Sequence, residues 1–488
     1  MDANHHQGGS TMSHLSMSRL TAKPSVPLSN ASAAFTVGRR LRDAMATTPG
    51  QLRLCLGGLW MLILLLSWTT SVGLERHRRE MQTIGRDSAP SIIAAQSIKA
   101  NIAALHGNVM RQFLASPVQA RDAGGAYRAL REKITDGLLK AAENITYGND
   151  ERGPIRDLLN GLAKYDDAIA RATALHEQNT GDWLAAIHDA TAILDHTLCP
   201  SADQLDNANQ KAMDTGYTDD QANAGWSTVM VIVACLLLTG GCAAVQLLIQ
   251  RRMHRRISLP LAGLMLFSLV WTVYSVGAMR DETADLKTAK SDAFDSIGVM
   301  WRARANAFDA QSHLALSLLD PSSAREATQT FESDSSTLAA FSDGNSFTSI
   351  QSTLDDGKKL PSGFDGFIAR ELNNITFVGE REAATDMYRR YVRYIGIARA
   401  VRDAGRAGNH TAAVELCLGE SNDQAAGAMS SFDSALGKVL EINQTEFDHA
   451  VDRGFADVAG LWVWNWAVAL ITAILAYWAM SQRLAEYD

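Results

Sequence analysis

The sequence predicts an all-α integral membrane protein with four transmembrane helices and two duplicated extracytoplasmic antiparallel helical bundles. Three observations predict it: four long stretches without a charged residue, helical periodicity in the polar stretches between them, and a repeat of the first half in the second. The chain has 488 residues, 45 Lys+Arg against 53 Asp+Glu, a net charge of -8, 47% hydrophobic and 20% charged residues. That composition excludes a disordered chain, and the uneven distribution of apolar residues excludes a simple globular enzyme.

Residues 1–46 are rich in Ser, Ala, Met and His and lack hydrophobic periodicity before Phe35, so they read as a cytoplasmic, mostly disordered leader. Pro49 suits a first helical turn. The first span is 54–74, with the run LWMLILLL. A bilayer core about 30 Å thick needs roughly 20 apolar helical residues. Residues 226–249, 257–279 and 458–482 meet the same condition, and Trp226, Trp462, Trp464 and Trp478 lie near span ends, as interfacial aromatics do. No cleavable signal peptide is visible, which makes the first span a signal anchor.

The loop 250–256 fixes the expected orientation. It carries Arg251, Arg252, Arg255 and Arg256, and Arg39, Arg40, Arg42 and Arg53 precede the first span. Short basic loops stay cytoplasmic, so both termini, including the tail 483–488, are expected inside a bacterial plasma membrane. Arg76, Arg78 and Arg79 oppose this locally. The outer segments 75–225 and 280–457 carry net charges of -5 and -10 and no basic stripe, which argues against nucleic acid and leaves membrane lipid to the inner arginines.

Within 75–225, Ile92, Ile98, Ile102, Leu105, Val109 and Phe113 recur at helical steps. This helix is expected to run straight out of the first span, reaching about 60 Å from Glu75 to Leu114. The second half repeats the first. Ser91-Ile92 matches Ser296-Ile297, Ala100-Asn101 matches Ala305-Asn306, and Asn144-Ile-Thr-Tyr147 matches Asn374-Ile-Thr-Phe377. Leu198-Cys199 and Ser201-Ala-Asp-Gln204 match Leu416-Cys417 and Ser421-Asn-Asp-Gln424. Each unit then reads as a helix out, a turn, a helix back, a loop at Asn-Ile-Thr, a helix out, a turn at the cysteine and a helix into the next span. Breaks are expected at Asn179–Gly181 and near Gly408-Asn409, and the Gly- and Ser-rich stretch 341–367 reads as a mobile excursion.

The chemistry is sparse. Cys199 and Cys417 lie outside the spans, where a disulfide joining the bundles is permitted; two free thiols are the alternative. His188, His196 and Cys199 lie near one helical face, but their spacing is loose for a metal site, and no metal or other cofactor is expected. No nucleophile elbow, zinc-protease helix or phosphate loop is present, so no enzyme is expected. The uncharged spans disfavour an ion-coupled transporter, and Asn465 and Gln246 read as helix–helix hydrogen-bonding residues. The Asn-Ile-Thr stretch with Asn374, Thr376, Glu380 and Arg381 has two readings: caps for the following helix, or a contact surface for a partner.

The stretch Leu372-Asn-Asn-Ile-Thr-Phe-Val-Gly-Glu-Arg-Glu-Ala-Ala384 resembles the actinobacterial GlnX-type four-span membrane proteins. So do Thr47-Thr-Pro-Gly-Gln-Leu-Arg53, Tyr165 through Ala172, and Phe432-Asp-Ser-Ala-Leu436. The layout also resembles doubled chemoreceptor four-helix sensor regions. The resemblance implies a relay beside an extracytoplasmic solute-binding lipoprotein that takes glutamate, aspartate or glutamine, linked to a cytoplasmic Ser/Thr protein kinase. A cell-envelope scaffold and a small-solute transporter are the alternatives, and a homo-oligomer stays open.

Overall fold

The computed structural model describes residues 47–115, 120–178, 181–253 and 258–485. The leader 1–46, Arg255, Arg256, the residues Asn179-Thr180 and the last three residues lie outside them. The described chain is almost wholly helical, and four of its helices are long and apolar enough to cross a membrane.

The first rod begins with α1 (Thr48–Gln82), with Pro49 in its first turn. A π-helical segment (Thr83–Ser88) leads without a break into α2 (Ala89–Leu114). The rod thus joins span and bundle, as the stripe from Ile92 predicts. Helix α3 (Ala120–Glu143) returns, and α4 (Asn149–Glu177) leads out again. Helix α5 (Trp183–Ile193), a second π segment (Leu194–Leu198) and α6 (Cys199–Met253) form one return rod that becomes the second span. The second unit repeats this plan. Helix α7 (Leu259–Lys287) passes through a π segment (Thr288–Phe294) into α8 (Asp295–Leu319). Helix α9 (Ala324–Leu338), the short α10 (Phe347–Asp355) and α11 (Phe367–Asn373) complete the return. Helices α12 (Glu380–Arg406) and α13 (His410–Leu418) precede α14 (Ala425–Val458), which meets α15 (Leu461–Leu484), the fourth span.

A π segment widens the helix by one residue per turn and rotates everything beyond it. Those in the two outgoing rods occupy the same repeat position. Each lets one continuous helix present its inner stripe to the spans below and a differently oriented stripe to the bundle above.

Two features differ from the expected path. The turn of unit one falls between Glu177 and Trp183, not at Cys199, which lies inside the return rod. Cys417 instead sits on the separate α13, so the matched cysteine stretches do not occupy equivalent places. The stretch 341–367 is also folded down onto the bundle. Ala340–Phe341 (β1) pairs antiparallel with Phe364–Asp365 (β2), and Ser346 and Ser349 form a capping box on α10. Phe341 stacks on Phe364, and Phe364 packs edge-on against Tyr388. Burying these rings stabilises the excursion more than its Gly and Ser content loosens it.

One contiguous apolar core runs through both bundles, and a second lies among the spans. The outer halves share a core because α2 packs lengthwise on α8. Gly107 lies against its own repeat equivalent, Ser312, and the backbone of Phe308. Contact between equivalent positions is the mark of a two-fold relation between the units. In the spans, Asn465 donates to the Ser67 carbonyl at 2.8 Å and to Ser71 Oγ at 2.9 Å, and accepts from Trp271 Nε1 at 3.0 Å. These bonds tie the first, third and fourth spans together where lipid offers no hydrogen-bonding partner.

Candidate signalling site

The Asn-Ile-Thr stretches turn the two bundles into matched, bolted units. In unit two, Asn374 Nδ2 donates to the Asp292 carbonyl at 3.1 Å and to Ser296 Oγ at 3.0 Å. Asn144 does the same to Asp87 and Ser91 at 2.9 and 2.7 Å. Each loop is thereby tied to the outgoing rod at its π segment. Glu380 accepts the backbone N–H groups of Thr376 and Phe377 at 2.7 and 2.9 Å, and Asn443 Nδ2 at 2.8 Å. Glu151 takes the N–H groups of Thr146 and Tyr147 at 2.7 and 2.6 Å. Gly148 and Gly379 precede the helices at φ +69° and +84°, a backbone region that favours glycine.

The structure corrects the cap reading at Asn374 and the contact-surface reading at Glu380. Asn374 does not cap the following helix; it ties the loop to α8. Glu380 is fully buried and offers no surface to a partner. Thr376 and Arg381 do face solvent, and Arg381 makes no hydrogen bond or ion pair among the described residues. A lone sequence flags polar residues in a loop, not which way they turn.

Unit two adds a second acid to the bolt. Glu371 is 1% exposed and stands where unit one has Ala141. Burial, and then the neighbouring Glu380 charge, holds its carboxyl well above the usual carboxylate range. The folded chain therefore keeps a proton that the unfolded chain releases, and stability falls as pH rises from the carboxylate range toward neutrality and beyond. Glu371→Gln is expected to melt higher than the wild type at about pH 8, with the gap closing toward about pH 4, where both forms are neutral. Thermal melts across that range check it; a pH-independent gap contradicts the assignment.

The junction between bundles and spans is closed by one buried contact. His77 Nδ1 lies 2.7 Å from Glu282 Oε2, with side-chain exposures of 1% and 0%. The two residues stand 205 apart, the repeat offset itself, so each occupies the other's equivalent position. Every rod that joins bundle to span converges here, just below the π segments. The packing leaves no slack: a Cβ at Gly454 would collide with Met81, and one at Gly85 with Val451. A hydrogen-bonded His–Glu contact taken out of water is costly to break by removing one partner, so it fixes the relative position of the two outgoing rods.

The remaining expected residues fall elsewhere. Cys199 and Cys417 are free thiols. Burial pushes both up to about 12; Cys199 lies near Asp309 and Lys99, Cys417 near Arg111. Their different neighbours exclude the inter-bundle bridge in this structure. Cys199→Ser is expected to leave nonreducing gel mobility unchanged, and all five thiols should titrate after denaturation. Arg251 is exposed at the end of α6. Among the described residues no group of His, Cys, Asp or Glu is placed to hold a metal ion.

Residues 80–218 match the family model described as an actinobacterial sensor domain. The match covers the first outer bundle, from just above His77 to the approach of the second span. The first bundle is thus similar to a sensor domain, on a chain with four membrane-capable helices. No curated protein and no solved structure matches the chain.

Proposed function

We propose that this protein is a non-enzymatic transmembrane signalling adaptor in a bacterial plasma membrane. It relays the external availability of glutamate, aspartate or glutamine from a solute-binding lipoprotein to a cytoplasmic Ser/Thr protein kinase. One observation carries the reading: the sensor-like bundle is mechanically continuous with the membrane helices, and the two repeats lock together at His77 and Glu282 where bundle becomes span. Packed interfaces of this kind switch between discrete arrangements, so a touch on the bundle can shift a rod through the bilayer. The resemblance of residues 372–384 to GlnX-type proteins supplies the lipoprotein and the kinase. The termini and the arginine loop are then inside.

The test is crosslinking and affinity capture from cells grown with and without external glutamate or aspartate. Recovery of a solute-binding lipoprotein, with a yield that changes with the amino acid, is expected. Failure to recover one under either condition removes the relay. Labelling that places the 251–256 loop on the same side as either bundle removes the orientation on which it depends.

A further inference from the structure

The two-fold relation between the units makes two clefts comparable, and they differ in a telling way. In the repeat register that pairs His77 with Glu282, Gly85 corresponds to Lys290, Ser97 to Arg302 and Trp301 to Gln96. On the return helices Asp448 corresponds to Asp214. One member of each pair lines a cleft of about 140 Å³, the other a cleft of about 580 Å³. The small cleft is filled by the chain itself. The Lys290 ammonium enters it, 3.5 Å from Asp214 and 2.9 Å from Asp295, and 5.6 Å from the centre of the Phe294 ring. Arg302 lies beside it, donating to the Gly298 carbonyl.

In the large cleft the counterparts of Lys290 and Arg302 are gone; the arginine that lines it, Arg304, is paired with Asp433 at 2.6 Å and lies 5.3 Å from the centre of the Trp301 ring. Gly85 and Ser97 stand in their places, and no cation of the described chain pairs with Asp448, which accepts only from Gln444 at 3.0 Å. The opposite rim, on α3, carries Lys133 and Lys140 with Asp136 between them, and neither lysine side chain makes a hydrogen bond or ion pair among the described residues. Ile93, Trp301 and Phe447 add apolar surface. The volume lies in the range of small-molecule sites. The cleft also joins the bundles: the lysines belong to unit one, Asp448 and Trp301 to unit two.

We propose that the large cleft binds a small zwitterion carrying a primary ammonium and a carboxylate. The ammonium faces Asp448, in the role that Lys290 fills beside Asp214; the carboxylate faces Lys133 and Lys140, and the carbon skeleton lies along Trp301. Such a ligand bridges the two units. This deepens the sensory reading, since the outer bundles then take the molecule directly.

The test is titration calorimetry on the full chain in lipid nanodiscs. The probes are the standard amino acids singly, with butylamine and butyrate as single-charge arms. At least one amino acid is expected to bind at least tenfold more tightly than either arm. Ser97→Arg, which places in the large cleft the cation that Arg302 supplies beside Lys290 in the sister cleft, should weaken that binding at least tenfold. Asp448→Asn, an exposed substitution outside the core, should do so as well, and it carries the test if Ser97→Arg melts below the assay temperature. The proposal is overturned if no amino acid binds, if butylamine alone binds as tightly, or if Asp448→Asn leaves affinity unchanged. Capture of the lipoprotein together with any of those results would leave the relay standing without this site.

Discussion

Glu380→Ala is expected to destabilise the second bundle by roughly 3 kcal/mol, since a buried donor that loses its acceptor costs about 1–3 kcal/mol. The carboxylate is the acceptor for two backbone N–H groups and for Asn443 Nδ2, all buried or half-buried. Removing it strands Asn443 Nδ2 in the core and leaves the two half-buried N–H groups of Thr376 and Phe377 without their acceptor. One effect opposes the loss: Glu371 is freed of the adjacent charge that raises its pKa. Relief of one repulsion does not offset three stranded donors. Glu151→Ala removes the smaller bolt of unit one, which holds two backbone N–H groups and no asparagine, so its loss should be of similar size only because Ala141 stands in place of Glu371 and nothing offsets it. Thermal and denaturant unfolding of the full chain in detergent measures both. A loss below about 1 kcal/mol for either would show that water satisfies these donors.

His77→Leu is expected to cost about 3–5 kcal/mol, because it leaves Glu282 buried without its imidazole partner. The double substitution His77→Leu with Glu282→Leu should recover most of that loss, since well-packed apolar replacements of buried ion pairs are often neutral or stabilising. Stability and signalling should then separate. The double variant folds, yet its two outgoing rods no longer share a directional bond, and under the proposed relay an external amino acid should no longer change the capture of the proposed kinase partner. A double-mutant cycle on unfolding gives the coupling energy. Coupling near zero would mean that the 2.7 Å contact holds nothing.

Much of this architecture was legible in the residues. Charge-free runs reveal spans because lipid tolerates little else, and the stripe from Ile92 to Phe113 reveals a helix that does not stop at the membrane surface. The stripe says which face is buried, not against what. The core shared between the bundles therefore leaves no mark in either stripe and follows only from the packing of α2 on α8. The match around Cys199 and Cys417 misled because similarity of short strings is not structural register: unit two spends those residues on the separate α13. The Gly and Ser of 341–367 suggest mobility, but its phenylalanines decide the outcome by packing on one another and on Tyr388. A glutamate in a first helical turn is rarely buried, so neither reading of the stretch points to the burial of Glu380, which depends on Asn443, 63 residues further on. The His77–Glu282 contact left one trace in the sequence, its separation by the repeat offset, but equivalence alone does not say that two residues touch.

Gly460 sets the fourth span apart. At φ +72° it interrupts the helix between Val458 and Leu461, whereas each of the other three spans continues outward as unbroken helix. Three stiff columns and one jointed one do not move as a block. A load applied to the bundles would travel lengthwise down the columns and be absorbed at the joint, so the far face of the spans would tilt about the fourth span rather than shift evenly along the rods.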